Sequence, residues 1–235
     1  MKRLIKVIIK PKVALRLVQN KFHAFLEHCW AKKDSKTVGG NEKVLFVDLG
    51  ANIGQGYTWF KQYFSQSNVS FELFEPNPFC YEELLKLPDV ISGKVLVHNV
   101  GVGVKAGSFK FFGLSECEGG KYSQGGSFVK EHNSNWYKSS NDAALDAEVI
   151  SFVEYLIEKS DLFDRMIVKM DIEGAEIDLL EGLIASNSVK YIDTLYVEFH
   201  SQYQEGRQSL LTKRREKVIL KKLAEYSNLK VRIWH

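Results

Sequence analysis

The stretch VLFVDLGANIGQG, residues 44–56, decides the fold. Its first six residues are apolar except for Asp48, and a glycine ends the run, which predicts a buried strand. Gly50, Gly54 and Gly56 follow, and glycines let the backbone turn tightly and pass close to a ligand. The stretch therefore predicts a strand, a glycine-rich turn and the start of a helix.

Runs of the same kind recur along the chain and alternate with segments of helical spacing. Strands that alternate with helices form a mostly parallel, twisted sheet with helices on both faces. In such an α/β fold, ligands bind beyond the carboxyl ends of the strands. Further strands are predicted at Phe71–Phe74, Val95–Val100, Met166–Met170, Thr194–Phe199 and Leu229–Trp234.

The composition fits one α/β domain with a short extension. The 235 residues carry a net charge of +3, and 45% of them are hydrophobic. Residues 1–37 hold ten Lys or Arg and two acidic residues, so the positive charge is concentrated there. We therefore predict a basic, helical N-terminal extension over residues 1–40 and a main domain over residues 41–235. The three cysteines are widely spaced and indicate a reducing, cytoplasmic location.

The N-terminal extension has two interpretations. Basic and apolar side chains of residues 1–30 can make peripheral contact with the inner face of a membrane. Alternatively, the helix packs on the main domain or on a second copy in a homodimer. The second interpretation is favoured, because a mixed apolar face is the default for helices of globular proteins.

Residues 113–142 interrupt the alternation and are rich in Gly, Ser, Asn and charge. A loop this long inside a compact domain is usually a functional lid or disordered. We predict that this inserted loop is a lid over a bound substrate, where Tyr122, Trp136 and Tyr137 could stack on a sugar ring. The alternative is a disordered insertion.

The end of the first strand suggests a site for an amino acid. The Asp48 carboxylate can accept hydrogen bonds from an ammonium group, and the helix that begins near Gly54 offers N–H groups that suit a carboxylate. One ligand with both groups is S-adenosylmethionine. The spacing D-x-G-x-x-x-G-x-G differs from the G-x-G-x-x-G of dinucleotide binders. The plain alternative is a turn that serves only the chain geometry.

The end of the second strand carries Glu75, 19 residues after Gly56. An acidic residue at about this distance binds ribose hydroxyls in nucleotide-binding α/β folds. The alternative is that Glu75 only caps a turn made by Pro76 and Pro78.

The third and fourth strands end in further candidates. Asn99 can offer its amide to a purine edge, beside a small apolar wall made by Val100 and Gly101, although a satisfied loop asparagine is equally consistent. Asp171 closes the fourth strand, and Glu173 follows it in the next turn. Carboxylates at a helix N-terminus also have a purely structural explanation.

Some of the same residues are candidates both for proton transfer and for metal binding. Candidate bases are Asp171, Glu173, His200 at the end of the fifth strand, and His132 in the inserted loop. Asp171, Glu173, Glu198 and His200 can approach one another across adjacent strands, where oxygen-rich sites suit Mg²⁺ or Mn²⁺. A divalent metal is not favoured, because capping and solvation explain the same acids, so we predict no metal ligands.

Three blocks together resemble the FkbM-type family of class I S-adenosylmethionine-dependent methyltransferases. They are VDLGANIGQG at 47–56, FEPNP at 74–78 and KMDIEGAEIDLLEG at 169–182. The resemblance covers about residues 44–200 and does not reach residues 1–40. It implies a Rossmann-like sheet, S-adenosylmethionine as cofactor, and methyl transfer to a hydroxyl of a sugar, glycolipid or secondary metabolite.

The resemblance also assigns roles by position. Asp171 and Glu173 would lie nearest the reacting centre. The amino-acid end of the cofactor would be bound by Asp48, Gly50, Asn52 and Gly54, the ribose by Glu75 with Pro76 beside it, and the adenine by Asn99, Val100 and Gly101.

The sequence departs from the family pattern at two places. The usual acidic pair before the fourth strand is reduced to Glu154-Tyr155. Class I methyltransferases usually finish with a β-hairpin whose last strand is antiparallel, whereas one helix and one strand follow Thr194–Phe199 here. We therefore expect a sheet that is one C-terminal strand short, or a truncated chain.

Three other functions are weighed against methyl transfer to a small molecule or glycan. A nucleotide-dependent oxidoreductase conflicts with the glycine spacing. A non-catalytic scaffold or membrane-peripheral protein that keeps the fold is not favoured, because every cofactor-facing position is plausibly filled. Nucleic-acid methylation fits poorly with the net acidic chain beyond residue 37.

Overall fold

The alternating strands and helices expected from the sequence are present. The computed structural model describes residues 11–113, 120–130, 144–203 and 206–234. Its helices are α1 (Pro11–Ser35), α2 (Gln55–Lys61), α3 (Pro78–Leu84), α4 (Pro88–Ile91), α5 (Phe152–Ser160), α6 (Glu176–Ala185) and α7 (Gly206–Leu223). Its strands are β1 (Val44–Leu49), β2 (Val69–Phe74), β3 (Val95–His98), β4 (Gly101–Gly103), β5 (Gly107–Phe111), β6 (Leu145–Ser151), β7 (Arg165–Met170), β8 (Thr194–Val197) and β9 (Lys230–Ile233).

Six strands form one sheet in the order β3-β2-β1-β7-β8-β9. Each neighbouring pair is parallel, and β1 pairs with β2 on one side and with β7 on the other. The strand order therefore reverses at β1, and a crevice forms there beyond the carboxyl ends of the strands. This topology confirms the predicted Rossmann-like α/β fold.

The last strand departs from the usual class I arrangement. Strand β9 pairs in parallel with β8, with Thr194 opposite Lys230. Within the described residues, the sheet has no antiparallel C-terminal strand, as expected for a sheet one strand short.

A second, three-stranded sheet was not predicted. Its order is β4-β6-β5, with β4 parallel and β5 antiparallel to β6. The predicted third strand reached Val100, whereas β3 ends at His98 and β4 begins at Gly101. Part of the predicted inserted loop returns to this sheet, because Phe112 and Ser127 form an antiparallel bridge.

The six-stranded sheet is buried on both faces. On β1, Leu45 belongs to an apolar cluster shared with α5, α6 and α7, whereas Phe46 belongs to a second cluster shared with α2. A parallel strand covered on both sides needs a nearly continuous apolar run, which explains why Asp48 is the one polar residue of β1. Each fully buried Leu or Phe stabilises the fold by roughly 1.5–3 kcal/mol.

The end of α1 packs against the sheet. Ala31 and Asp34 are fully buried, and Asp34 accepts hydrogen bonds from Tyr196 and Arg232. Earlier in the helix, Phe22 and Phe25 are 59% and 62% exposed. Packing on the main domain thus accounts for the end of the helix, while contact with a membrane or a second copy stays a prediction.

No helix in the described parts of the chain is both long and apolar enough to cross a membrane.

Candidate functional site

A cavity of about 920 Å³ opens where the strands of the large sheet end. The turn after β1, the residue after β2, the start of β4, the segment 120–130 and the turns after β7 and β8 all contribute to its wall. Predicted site residues that line it are Gly50, Asn52, Glu75, Pro76, Val100, Gly101, Asp171, Glu173 and His200. Asp48, Gly54 and Asn99 are predicted site residues outside its lining.

The glycines of the turn after β1 bring the strand ends together. Gly50 has a φ of +78°, and a Cβ there would lie 1.9 Å from the carbonyl oxygen of Asp171. A Cβ on Gly56 would lie 2.9 Å from the Asp48 carboxylate. Gly54 also has a positive φ, of +93°, and packs against Leu84 and Leu87 rather than facing the cavity. Gly50 and Gly56 thus allow the close approach that forms the cavity wall.

Asp48 pairs with a lysine of the protein itself. Its carboxylate is fully buried, and Lys169 Nζ lies 3.0 Å from its Oδ1. The same ammonium lies 3.3 Å from Asp171 Oδ2 and donates to the carbonyl oxygen of Gly50 at 3.2 Å. The Lys169 ammonium supplies the counter-charge that a buried carboxylate needs, and the predicted contact of Asp48 with a ligand ammonium stays a prediction.

Lys169 is a cavity-lining residue that sequence reasoning missed. Burial opposes its charge, but the carboxylates of Asp48 and Asp171 outweigh this effect and raise the pKa of its ammonium. The available signal was a lysine inside the apolar strand MIVKM, where an unpaired charge is not tolerated.

Glu75, the residue after β2, holds the turn that follows β1 by hydrogen bonds. It is 5% exposed, and its two carboxylate oxygens accept hydrogen bonds from the backbone N–H groups of Asn52, at 2.7 Å, and Asn77, at 2.8 Å. Burial raises the pKa of Glu75 to about 7, although these hydrogen bonds act in the opposite direction. Glu75 therefore both organises the turn and presents a carboxyl group to the cavity.

The segment 120–130 forms the opposite wall. The Asn52 amide donates to the carbonyl oxygen of Ser123 at 3.1 Å, and the Asn77 amide donates to that of Lys121 at 2.8 Å. Tyr122 lines the cavity, as its predicted contact with an acceptor requires. The other loop residues singled out from the sequence, His132, Trp136 and Tyr137, lie outside the described residues.

At the third strand end, Asn99 makes the contacts of the satisfied loop asparagine that was one of its two predicted roles. The Asn99 amide donates to the carbonyl oxygens of Glu75, at 2.9 Å, and Pro76, at 3.3 Å. It therefore fixes the neighbouring turn and does not face this cavity, because two backbone acceptors lie within its reach. Val100 and Gly101 line the cavity beside it.

An acidic cluster surrounds His200 at the other end of the cavity. His200 Nε2 lies 3.5 Å from Glu173 Oε2 and 3.7 Å from both Asp171 Oδ1 and Glu198 Oε1. Its Nδ1 lies 2.8 Å from Oε1 of the fully buried Glu176. Burial alone would lower the pKa of His200, but the hydrogen bond to Glu176 and the neighbouring carboxylates raise it to about 10. The structure thus brings the three predicted catalytic candidates together.

The turn after β7 has an unusual backbone. Glu173 has a φ of +51°, in the left-handed region that non-glycine residues seldom adopt. Its carbonyl oxygen accepts a hydrogen bond from Ser127 Oγ. Glu176 accepts hydrogen bonds from the N–H groups of Ile172 and Gly174, each at 3.1 Å. These bonds fix the turn that presents Glu173 to the cavity.

Comparison with known proteins identifies the family. A model of the methyltransferase FkbM domain matches residues 48–226, most of the chain. The chain belongs to the FkbM methyltransferase family. The matched range contains each of the predicted site residues and leaves out α1.

Two curated relatives carry methyltransferase names. The hexuronic acid methyltransferase AglP of Haloferax volcanii is 25% identical over 160 residues, which cover 68% of this chain and 57% of that protein. The methyltransferase sdnD of Sordaria araneosa is 26% identical over 183 residues, which cover 68% of this chain and 66% of that protein. This FkbM chain thus spans less than two thirds of either relative.

A solved FkbM structure is also similar. The crystal structure of the methyltransferase FkbM from Methylobacillus flagellatus KT is 17% identical, with a TM-score of 0.42. The match covers 80% of this chain and 39% of that one.

Proposed function

We propose that this FkbM chain is an S-adenosylmethionine-dependent methyltransferase that methylates a hydroxyl oxygen of a sugar, a glycolipid or a secondary metabolite. The observation that carries the proposal is one cavity with two chemically different ends. One end has a glycine turn and a buried acid, and the other has the acidic cluster around His200. Donor and acceptor can therefore meet inside one cavity, which is the arrangement that group transfer needs.

The first end of the cavity is lined by groups whose chemistry suits the cofactor. The backbone of Gly50 and Asn52 would contact its amino-acid part, and Glu75 would accept hydrogen bonds from its ribose hydroxyls. Val100 and Gly101 provide the small apolar surface that suits an adenine ring. When bound, S-adenosylmethionine supplies an electrophilic methyl group on a sulfonium centre.

The second end would align the acceptor. Asp171 and Glu173 line the cavity, and His200 lies buried between them. We assign Glu173 to accept the proton that the hydroxyl loses, because a strained backbone held by Ser127 presents its carboxylate to the cavity. A general base of this kind contributes about 10²–10⁴-fold to the rate, and alignment of the reactants contributes more.

The partners of the protein follow from the same site and from α1. The acceptor is a small molecule or glycan, and the name of the Haloferax volcanii relative supports a sugar acid. The exposed Phe22 and Phe25 on a basic helix support a peripheral membrane contact or a homodimer in the cytoplasm. Flotation with anionic liposomes, with and without residues 1–30, tests the membrane contact.

Isothermal titration calorimetry tests the proposed cofactor. S-adenosylmethionine and S-adenosylhomocysteine should bind the full chain, and NADH should not. Glu75→Gln should weaken binding of both by at least about tenfold, because it removes a charged acceptor of the ribose hydroxyls. Glu82→Gln, the same change at an exposed position of α3, should leave affinity unchanged. Tight NADH binding, or no binding of either sulfur compound to folded protein, would refute the proposal.

A further inference from the structure

Three side chains at the acceptor end have the geometry of metal ligands. Asp171, Glu198 and His200 each offer one ligand atom, and these atoms lie within 4.8 Å of one another. Around an octahedral ion at about 2.1 Å, ligand atoms are roughly 3.0 Å apart when adjacent and 4.2 Å apart when opposite. The distance of 3.7 Å from His200 Nε2 to both carboxylates lies between these values. Shifts of roughly 1 Å in these ligand atoms would bring them to octahedral positions.

The His200 ring is oriented by a carboxylate on its Nδ1 side, which is also common for metal-bound histidines. Glu176 is fully buried, lies 2.8 Å from His200 Nδ1, and accepts backbone hydrogen bonds from Ile172 and Gly174. Nδ1 must therefore donate to Glu176, which leaves Nε2 directed at Asp171 and Glu198. Metal-ligating histidines characteristically donate from the ring nitrogen that does not bind the metal to a carboxylate, as Nδ1 does here to Glu176.

The excess negative charge of the cluster also favours binding of a cation. Among the described residues, four carboxylates lie within 3.7 Å of the His200 ring nitrogens. The Lys169 ammonium lies 3.3 Å from Asp171 but is shared with Asp48. Even with Lys169 and a protonated His200, the cluster keeps an excess of negative charge. An acidic acceptor, such as a sugar acid, would add to this excess and would need a positive partner.

We propose that Asp171, Glu198 and His200 bind one divalent cation, Mg²⁺ or Mn²⁺, at the acceptor end of the cavity. Two carboxylate oxygens and one imidazole nitrogen suit these ions, which keep their remaining positions for water or substrate oxygens. The ion would bind and polarise the acceptor oxygen, and Glu173, which lies outside the ligand set, would accept its proton. This role rests on the proposed function, whereas binding of the ion does not.

Titration of the full chain with Mn²⁺ alone, followed by electron paramagnetic resonance of the free ion, tests the site. We expect one tightly bound ion per chain, and binding at least about tenfold weaker in Asp171→Asn and Glu198→Gln. Electron spin-echo modulation from a directly bound nitrogen should be present in the unmodified protein and absent in His200→Ala. Circular dichroism verifies that each variant is folded.

Glu173→Gln is the matched control. Its carboxylate belongs to the same cluster but not to the ligand set, so Mn²⁺ affinity should fall by less than about threefold. Equal weakening by Glu173→Gln and by the ligand variants would show diffuse attraction and overturn the site. Undiminished binding in Asp171→Asn and Glu198→Gln would also overturn it. Calorimetry with S-adenosylmethionine on the same proteins reports separately on the proposed function.

Discussion

At the residue scale, Glu75 links the backbone of the glycine turn to the chemistry of the cavity. Its carboxylate accepts N–H groups from Asn52 and Asn77, and burial raises its pKa to about 7. Each carboxylate oxygen has a second lone pair, so the ionised group can still accept hydrogen bonds from ribose hydroxyls. Protonation would replace one of these acceptors by a donor.

The affinity for S-adenosylmethionine should therefore depend on pH near neutrality. As the pH falls below about 7, Glu75 becomes protonated and binding should weaken, by up to about tenfold per pH unit. Folding stability should change with pH in the opposite direction. Because the pKa of Glu75 is raised from about 4.5 to about 7, the free energy of unfolding of the ligand-free protein should fall as the pH rises through this range. Calorimetry with S-adenosylmethionine between about pH 5.5 and 8.5 measures the slope of log affinity against pH. A slope unchanged in Glu75→Gln would contradict the assignment.

Asp48 and Lys169 show how far the candidate site could be predicted. Strand-end acids are visible in a sequence, and Glu75, Asp171 and Glu173 do line the cavity. The partner of each group is set by distances between strands distant in the sequence, such as the 3.0 Å between Asp48 and Lys169. Local spacing contains no information on that pairing, so the ion pair could not be predicted from the sequence.

At the element scale, a buried polar network joins β2, β3 and α5. Glu72 on β2 accepts hydrogen bonds from His98, Tyr155 and Lys159. Burial alone would raise the pKa of Glu72, but the bonds from His98 and Lys159 outweigh it and lower the pKa to about 2. The network thus stabilises the edge of the sheet beside the cavity.

This network should contribute stability that is lost in acid. The contribution is present above the ordinary pKa of about 4.5 and disappears as the pH falls towards about 2. Glu72→Gln should lower the free energy of unfolding by roughly 3 kcal/mol at pH 7, because Lys159 loses its buried partner, and by much less in acid. Denaturant unfolding at several pH values measures this difference. Glu158→Gln, at an exposed position of α5, is the control, and an equal loss in both variants would contradict the account.

Elements differ in how well the sequence predicts them. Strands β1, β2 and β7 are mostly apolar and mostly buried, so they were predicted to within two residues. The three-stranded sheet was missed, because β5 has exposed polar positions and β4 is only three residues long. Strands β4 and β5 pair with β6 across the inserted loop. Such pairing depends on tertiary structure and leaves no local pattern in the sequence.

At the scale of the whole molecule, one buried acid connects the N-terminal helix to the other end of the chain. Asp34, near the end of α1, accepts hydrogen bonds from Tyr196 Oη at 2.9 Å and from the Arg232 guanidinium at 3.0 and 3.1 Å. Arg232 also lies over the Trp30 ring. The basic extension is thus packed on β8 and β9. Of these contact residues, Tyr196 lies inside the range that the family model matches, whereas Trp30, Asp34 and Arg232 lie outside it.

Replacement of this acid should loosen α1 without unfolding the sheet. Asp34→Asn leaves the Arg232 charge without its carboxylate, at a cost of roughly 3 kcal/mol or more. Hydrogen exchange should then increase in peptides from residues 21–38, while peptides from β1 and β7 stay protected. The exposed Asp161→Asn serves as control. Equal loss of protection throughout the chain would show that α1 and the sheet unfold together.

The most direct test of the central claim is a crystal structure of the full chain with S-adenosylhomocysteine. We predict that its ribose hydroxyls contact the Glu75 carboxylate, that its amino-acid end lies along the turn from Gly50 to Gly56, and that its sulfur points towards Asp171. The proposed methyl transfer would then take place beside the acidic cluster. A ligand bound outside the cavity, or bound inside it with the ribose away from Glu75, would contradict the account.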